Sequence, residues 1–321
     1  MPELPEVTTT TKGLQKVLPG FSFVDVWTDL AKKNPIKQFE GTLKDETFYK
    51  KFKKEIIGSK VLNVERRAKN ILINLSNNKT ILIHLKMTGH LLFGEYAKKI
   101  ITKDKPTSPV GRLRITNWKK KKKTGPLNDP FNRFIHVVFV LSNGNHIAFC
   151  DSRKFGKVTL LDTDTAHDTS HLKSIGPEPL DVRFTFSIFK ERIMRKLNGN
   201  IKTVLMDQTN IAGIGNIYSD EALWLASVHP ESKPKAIPLT FMKQLYDAVK
   251  EVLNKGIDFG GDSTSDYRDI NGMRGTFQGE HNAYRKTKEK CSKRGCKGVI
   301  LRKVIGGRSA HFCSVHQKLF T

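Results

Sequence analysis

An α+β fold in two halves is what this 321-residue sequence predicts: an N-terminal antiparallel β-sandwich with a flanking helix, then a helical domain ending in a ligand-bearing β-hairpin. Three observations carry that prediction. In the first half, "NILINLSNNKTILIHL" and "HVVFVLSNGNHIAF" are paired alternating apolar runs that meet across Asn77-Asn78 and Asn143-Gly144, the pattern of β-hairpins. After "SIGPEPLD" the apolar residues recur at helical spacing,. Three of the four cysteines fall after residue 290.

The length exceeds one ordinary compact domain, so two domains with separate cores are expected. The sandwich is placed at 1–165, a linker at 166–180, a helical domain at 181–285 and the cysteine-bearing hairpin at 286–321. Val7, Leu14 and Leu18 permit a helix over 3–18, with Pro5 in its first turn, where a missing N–H costs little,. Periodicity permits a second helix at 43–57. Residues 95–133 contain "WKKKKKTGPLNDP", a charge run followed by turn signals, and read as an inserted mobile loop. Lys119–Lys123 within it suit phosphate contacts, a nuclear import signal or a merely solvated loop,. Met242, Leu245, Tyr246, Val249, Val252 and Leu253 form one buried helix face that should end before Gly256,.

Charge narrows the partner. Lys and Arg number 56 against 31 Asp and Glu, a formal net charge of +25. Such an excess suits a polyanion, and without a lipid anchor or basic amphipathic arm nucleic acid is favoured over membrane. A basic surface that only aids solubility has the same count. The N-terminus has no signal-peptide pattern and no apolar run reaches membrane-spanning length, so an intracellular, reducing location and unbridged thiols are expected.

Cys291-x4-Cys296 and Cys313-x2-His316 are two ligand pairs separated by sixteen residues containing Gly306-Gly307. Three thiolates and an imidazole make a closed tetrahedral site for one structural Zn2+. His311 is a rival fourth ligand, and Cys150 reads as a small buried apolar residue,. In "DQTNIAGIGNIYSDEALW" a glycine turn joins two helices, and its backbone N–H groups could seat a phosphate with Lys202 and Asn216. An ordinary helix hairpin carries the same pattern.

The chain opens "MPELPEV". If Met1 is removed, Pro2 becomes a secondary amine with a free-solution pKa of about 8. Attack of that amine on a sugar C1′ yields an iminium, and Glu3 and Glu6 stand ready to move protons. The bland alternative is that Pro2 and Glu3 merely start a helix.

With "ERRAKNILINL", "IHLKMTGHL", "DSRKFG", "GPEPL" and "GGRSAHFC" in order behind that opening, the sequence resembles the formamidopyrimidine-DNA glycosylases of the endonuclease VIII superfamily, nearly end to end. The resemblance implies a helix-two-turn-helix domain, a zinc-binding hairpin and a bifunctional DNA glycosylase and AP lyase for oxidised purines. By it Pro2 would be the nucleophile, Glu3 the acid at the sugar, Glu6 a second proton-relaying carboxylate and Lys69 a phosphate-holding group assisting at the sugar. Met87, Arg153 and Phe155 would fill the hole left by a flipped base. Lys154 beside them and Lys202, Asn216 and Arg308 would contact DNA, and "GGDSTSDYRDINGMRGTF", within a loop at about 260–279, would cover the flipped base, ordered only by substrate. Damaged double-stranded DNA would be the partner of a monomer with no small-molecule cofactor and no membrane, working in the cytoplasm or nucleoid, or in a nucleus. An oxidised-pyrimidine enzyme of the endonuclease VIII branch, a non-catalytic lesion binder and a generic zinc-finger protein are the alternatives. The chain departs from the family pattern in Cys-x4-Cys for Cys-x2-Cys, His316 for the last cysteine, Lys154 for arginine, Lys86 for glycine, and the insertion.

Overall fold

A computed structural model describes residues 1–102, 114–121 and 124–321. Helix α1 (Leu4–Val17) leads, followed by strand β1 (Phe23–Thr28) and helix α2 (Glu46–Ile56). Asp45 caps α2, its carboxylate accepting from the Thr47 and Phe48 amides,. Strands β2 (Val61–Arg67), β3 (Asn70–Leu75), β4 (Lys79–His84) and β5 (His90–Gly94) follow, then β6 (Tyr96–Thr102), β7 (Arg114–Lys120), β8 (Ile135–Leu141), β9 (His146–Cys150) and β10 (Lys157–Asp162). Eight of these ten form two four-stranded antiparallel sheets, ordered β1-β8-β9-β5 and β10-β4-β3-β2, and β6 and β7 pair with each other. The two expected hairpins are β3–β4 and β8–β9, and their turns hold Asn78 at φ 58° and Gly144 at φ 80°.

One core lies between the sheets. It joins Val26, Phe139, Ile147 and Leu91 of the first to Val64, Ile73, Ile81 and Val158 of the second, with α1 and α2 closing it through Leu14 and Phe52. Alternate residues point the other way, as the two-residue period requires: Leu72 and Leu82 meet Ala166 and Leu172 on one outer face.

The opposite outer face corrects the reading of the insertion. Within 95–133, β6 and β7 pair over seven positions, from Tyr96 opposite Lys120 to Thr102 opposite Arg114, and short helical turns occupy Pro126–Asn128 and Pro130–Arg133. Tyr96, Trp118 and Leu127 pack on Val138, Ala148 and Leu92. The lysines dominate the composition, while two aromatic residues supply the burial that holds the pair down. Of the run Lys119–Lys123, Lys122 and Lys123 lie outside the described residues, as do 103–113. Lys121 pairs with Glu95 at 3.2 Å. Cys150 is buried on β9 and donates to the Asn132 carbonyl, and burial pushes its thiol up.

The helical half holds α3 (Phe186–Met194), α4 (Ile201–Met206), α5 (Asn216–Leu225) and α6 (Leu239–Asp258) around a second core. All six residues of the anticipated α6 stripe are buried. The helix runs through Gly256 and not up to it, because Gly256 is a close approach: a Cβ there would collide with the Tyr218 ring and press on Pro5. Strands β11 (Ile300–Ile305) and β12 (Arg308–Cys313) make the terminal hairpin. Glu178 fastens the halves together. It binds Arg66 at 2.7 Å and Arg67 at 2.9 Å and accepts from the Ala68 amide at 2.6 Å. Among the described residues no helix is long and apolar enough to cross a membrane.

Candidate active site and nucleic-acid interface

The glycine turn before α5 is an anion seat, as its sequence foretells, but the anion is the chain's own. Glu3 is 1% exposed, and its Oε1 accepts from the Ile217 amide at 3.0 Å and its Oε2 from the Tyr218 amide at 3.4 Å. These are N–H groups that a helix start leaves without partners, at the positive end of its dipole. A Cβ on Gly215 would overlap the Glu3 carboxyl group, so only glycine admits it. The neighbouring Leu4 amide donates to the Gly213 carbonyl at 3.0 Å, and Leu4 packs in the helical core. The start of α1 is therefore built into the other half of the molecule.

Glu6 lies one turn on. Its Oε2 accepts from the Glu3 amide at 2.7 Å, and its Oε1 accepts from the Tyr218 hydroxyl at 2.6 Å and the Asp262 amide at 2.7 Å. Complete burial, with the Glu3 charge beside it, outweighs these three donors and pushes Glu6 up to about 7,. Asp262 in turn pairs with His281 at 3.0 Å. Tyr218, Asp262 and His281 escaped the sequence reading, since Tyr218 looks like an ordinary apolar position of α5 and the other two sit in irregular chain.

Lys69 joins the same place. The left-handed turn at Ala68, φ 52°, precedes it, and its buried ammonium donates to the Ile214 carbonyl at 2.8 Å. Burial pushes that ammonium down, while the charges of Glu3 and Glu6 hold it up and Arg308 adds to the lowering. The last effect puts Arg308, exposed at the start of β12, within the field of this site. Asn216, the first residue of α5, is half-buried with its Oδ1 unpartnered.

Lys202 is different. Its side chain is 0% exposed and its ammonium pairs with Asp220, which also accepts from the His311 ring at 3.0 Å. It does not present its charge to a phosphate; it neutralises a buried carboxylate that ties α4 and α5 to β12. A lone sequence cannot distinguish the two uses of a lysine.

The Met87 and Arg153–Phe155 loops meet over the N-terminus. Met1, 37% exposed, lines a cavity of about 560 Å³ with Met87, Phe155, Lys86 and Lys44, and Pro2 is buried beside it. The Arg153 guanidinium lies 4.6 Å from the Phe155 ring centroid, and Phe155 is 47% exposed. Asp151 binds the loops together, accepting from the Thr88 hydroxyl on one side and from the Arg153 amide at 3.3 Å and the Gly156 amide at 2.6 Å on the other. Lys86 sits at φ 54°, a conformation in which glycine, the usual family residue, is unstrained. Lys154 is exposed.

Cys291, Cys296, Cys313 and His316 place their ligand atoms within 4.8 Å of one another. Cys291 Sγ and His316 Nδ1 are 3.3 Å apart, Cys296 Sγ and Cys313 Sγ 3.5 Å. A tetrahedral ion with about 2.3 Å bonds to sulfur has edges of about 3.8 Å, so modest expansion of the cluster would admit one. His316 Nε2 lies 3.0 Å from the Trp224 carbonyl, which fixes the proton there and leaves Nδ1 free to ligate. His311, spoken for by Asp220, is not a member.

The Glu6 environment makes a stability prediction. In the folded chain Glu6 keeps its proton up to about 7, against an ordinary 4.5. Between those values the folded state binds more protons than the unfolded, so the Glu6 contribution to stability declines as pH rises and levels off above 7. Urea denaturation at about pH 5 and about pH 8 should show the wild type losing ground to Glu6→Gln at the higher pH. A stability difference independent of pH would contradict this.

Comparison with known proteins agrees with the geometry. Residues 1–158 match the formamidopyrimidine-DNA glycosylase N-terminal domain, and residues 175–268 match the formamidopyrimidine-DNA glycosylase H2TH domain. The formamidopyrimidine-DNA glycosylase of Pelotomaculum thermopropionicum is 35% identical, the match covering 99% of this chain and 100% of that one. That of Chloroflexus aurantiacus is 36% identical, covering 99% and 98%. Among solved structures, Lactococcus lactis Fpg bound to DNA containing an abasic site is similar with a TM-score of 0.77, at 29% identity over 98% of this chain and 99% of that one. The wild-type Lactococcus protein with DNA containing N7-benzyl-Fapy-dG has the same TM-score at 30% identity, over 99% and 100%. On both domains and over its full length, the chain belongs to the formamidopyrimidine-DNA glycosylase family.

Proposed function

We infer that this chain is a DNA glycosylase of base excision repair that removes oxidised purines, 8-oxoguanine and formamidopyrimidines, and then cleaves the resulting abasic site. The observation that carries the reading is the gathering of the buried carboxylates Glu3 and Glu6 and the Lys69 ammonium around the turn and start of α5, next to an N-terminus whose Met1 shares a cavity with Met87 and Phe155.

In this reading Met1 is removed and the Pro2 nitrogen lone pair forms a bond to C1′ of the damaged nucleotide as the C1′–base bond breaks. Protonation of the sugar ring oxygen, with Glu3 as the acid, opens the ring and leaves an iminium between Pro2 and C1′. That cation withdraws electrons, so loss of a 2′ proton expels the 3′ phosphate and a second elimination expels the 5′ phosphate. Water then hydrolyses the iminium. Glu6, titrating near 7, is suited to exchange protons with this site at neutral pH. Lys69, Lys154, Asn216 and Arg308 supply donors to the DNA backbone, while Met87, Arg153 and Phe155 fill the place of the flipped nucleotide, whose extraction costs a few kcal/mol. Lys202 supports Asp220 and does not touch DNA. The enzyme works inside the cell on duplex DNA.

Zn2+ is the ion proposed for Cys291, Cys296, Cys313 and His316. Bound there it is structural, because four protein ligands leave no position for water. It would brace the hairpin that carries Arg308. Elemental analysis of the purified chain should find one zinc per molecule, and Cys296→Ser should lower that ratio and weaken DNA binding. Purified protein that is metal-free yet binds DNA fully would exclude the assignment.

Borohydride trapping tests the chemistry. Reduction converts the iminium to a stable amine, so a covalent protein–DNA band should form on a duplex with 8-oxoguanine opposite cytosine. It should be absent with undamaged DNA and strongly reduced in Pro2→Gly and Glu3→Gln. A band confined to an oxidised-pyrimidine duplex would move the substrate to the other branch. Tight lesion binding with no band, in protein shown by mass spectrometry to lack Met1, would contradict catalysis.

A further inference from the structure

The 260–279 segment is folded against the protein, and its anchor comes from the insertion. Arg268 is 1% exposed and heads the fully buried side chains in volume. Its Nε and Nη2 each donate to Asp129 Oδ2 at 2.9 Å, and its Nη1 donates to the Ser265 and Tyr267 carbonyls at 2.9 and 2.6 Å. The guanidinium also stands 4.9 Å from the Phe131 ring centroid. Asp129 is itself held, since its Oδ1 accepts from the Phe131 amide at 2.9 Å. Both Asp129 and Phe131 belong to the short turns at 126–133. Nearby, a Cβ on Gly272 would press on the Leu127 backbone, so the two segments touch main chain to main chain.

The same segment reaches Glu6. The Asp262 amide donates to Glu6 Oε1 and the Tyr267 hydroxyl to the Glu6 carbonyl at 3.0 Å. On either side of Arg268 the Phe93 amide donates to the Ile270 carbonyl at 2.7 Å, and the Ser152 hydroxyl to Asp266 at 2.6 Å. The segment thus touches both Glu6 and the insertion, and a buried arginine at its middle, with Asp129 as its carboxylate partner, fixes it. A buried cation left without that partner is strongly unfavourable, so the pair favours a single position of the segment.

We propose that Asp129 is a positioning residue: through Arg268, the inserted 126–133 element holds the 260–279 segment in place beside Glu6, and so sets how the flipped base is read. The proposal rests on the assignment of this segment as the cover of the flipped base. It implies that Asp129 acts on base excision and not on cleavage of a site that already lacks its base.

Asp129→Asn and Asp129→Ala in the full chain test it with two single-turnover rates, base excision from an 8-oxoguanine duplex and strand cleavage at a preformed abasic site, alongside amide hydrogen exchange. Excision should slow about ten-fold, abasic cleavage should stay within about two-fold, and exchange across 262–276 should quicken about ten-fold. Equal loss of both rates would reveal a general structural role and overturn the proposal. So would unchanged exchange, or faster exchange with undiminished excision. If the unmodified chain excises no base from any lesion duplex, the repair reading fails, and the exchange result alone then decides whether Asp129 holds the segment.

Discussion

The carboxylate of Glu3 on the first turn of α5 is the contact on which the rest of the arrangement depends. A chain terminus is ordinarily its most mobile part, yet here residues 2–7 are buried. The solution is to anchor residue 3 to the N-terminus of a buried helix from the other domain, with Leu4 sunk in that domain's core and Gly215 bare so that the carboxyl group can approach. Neither half of the molecule contains the site alone.

Such an anchor gathers charge, and the surroundings answer it in two ways. Glu3, Glu6 and Asp262 bring three carboxyl groups into one buried region, and Lys69 supplies a nearby ammonium. Glu6 stays protonated up to about 7, which spares the interior a second close negative charge. One layer further out, Asp220 is neutralised by Lys202 and also receives the His311 ring and backbone. The hairpin with the Cys3His cluster is thereby fastened to the same helix that seats Glu3, so Arg308 and the N-terminus share one support.

Much of this was legible in the sequence. The hairpins at Asn78 and Gly144, the α6 stripe and the four clustered ligands are local patterns with short-range causes, and the structure has them where the residues place them. What was not legible depends on partners distant in sequence. The glycine turn before α5 announces an anion site but cannot name Glu3, more than two hundred residues away, as its occupant. Lys202 reads as a phosphate ligand until Asp220 is seen beside it. The insertion looks like solvated chain because its lysines outnumber Tyr96 and Trp118, which decide its packing. Likewise the polar 260–279 stretch reads as a loop, and the burial of Arg268 and Tyr267 within it depends on Asp129 and Glu6, both distant in sequence.

The central claim is that Glu3 caps α5 and thereby fixes the N-terminus. Amide hydrogen exchange at Ile217 and Tyr218, read by NMR in the full chain, tests it most directly. Both are helix-start amides with no intrahelical acceptor, so their protection reports the Glu3 carboxylate. The account predicts strong protection in the wild type and a loss of about ten-fold or more at these two positions in Glu3→Ala, with the interior of α5 unchanged. Equal protection of Ile217 and Tyr218 in both proteins would contradict it.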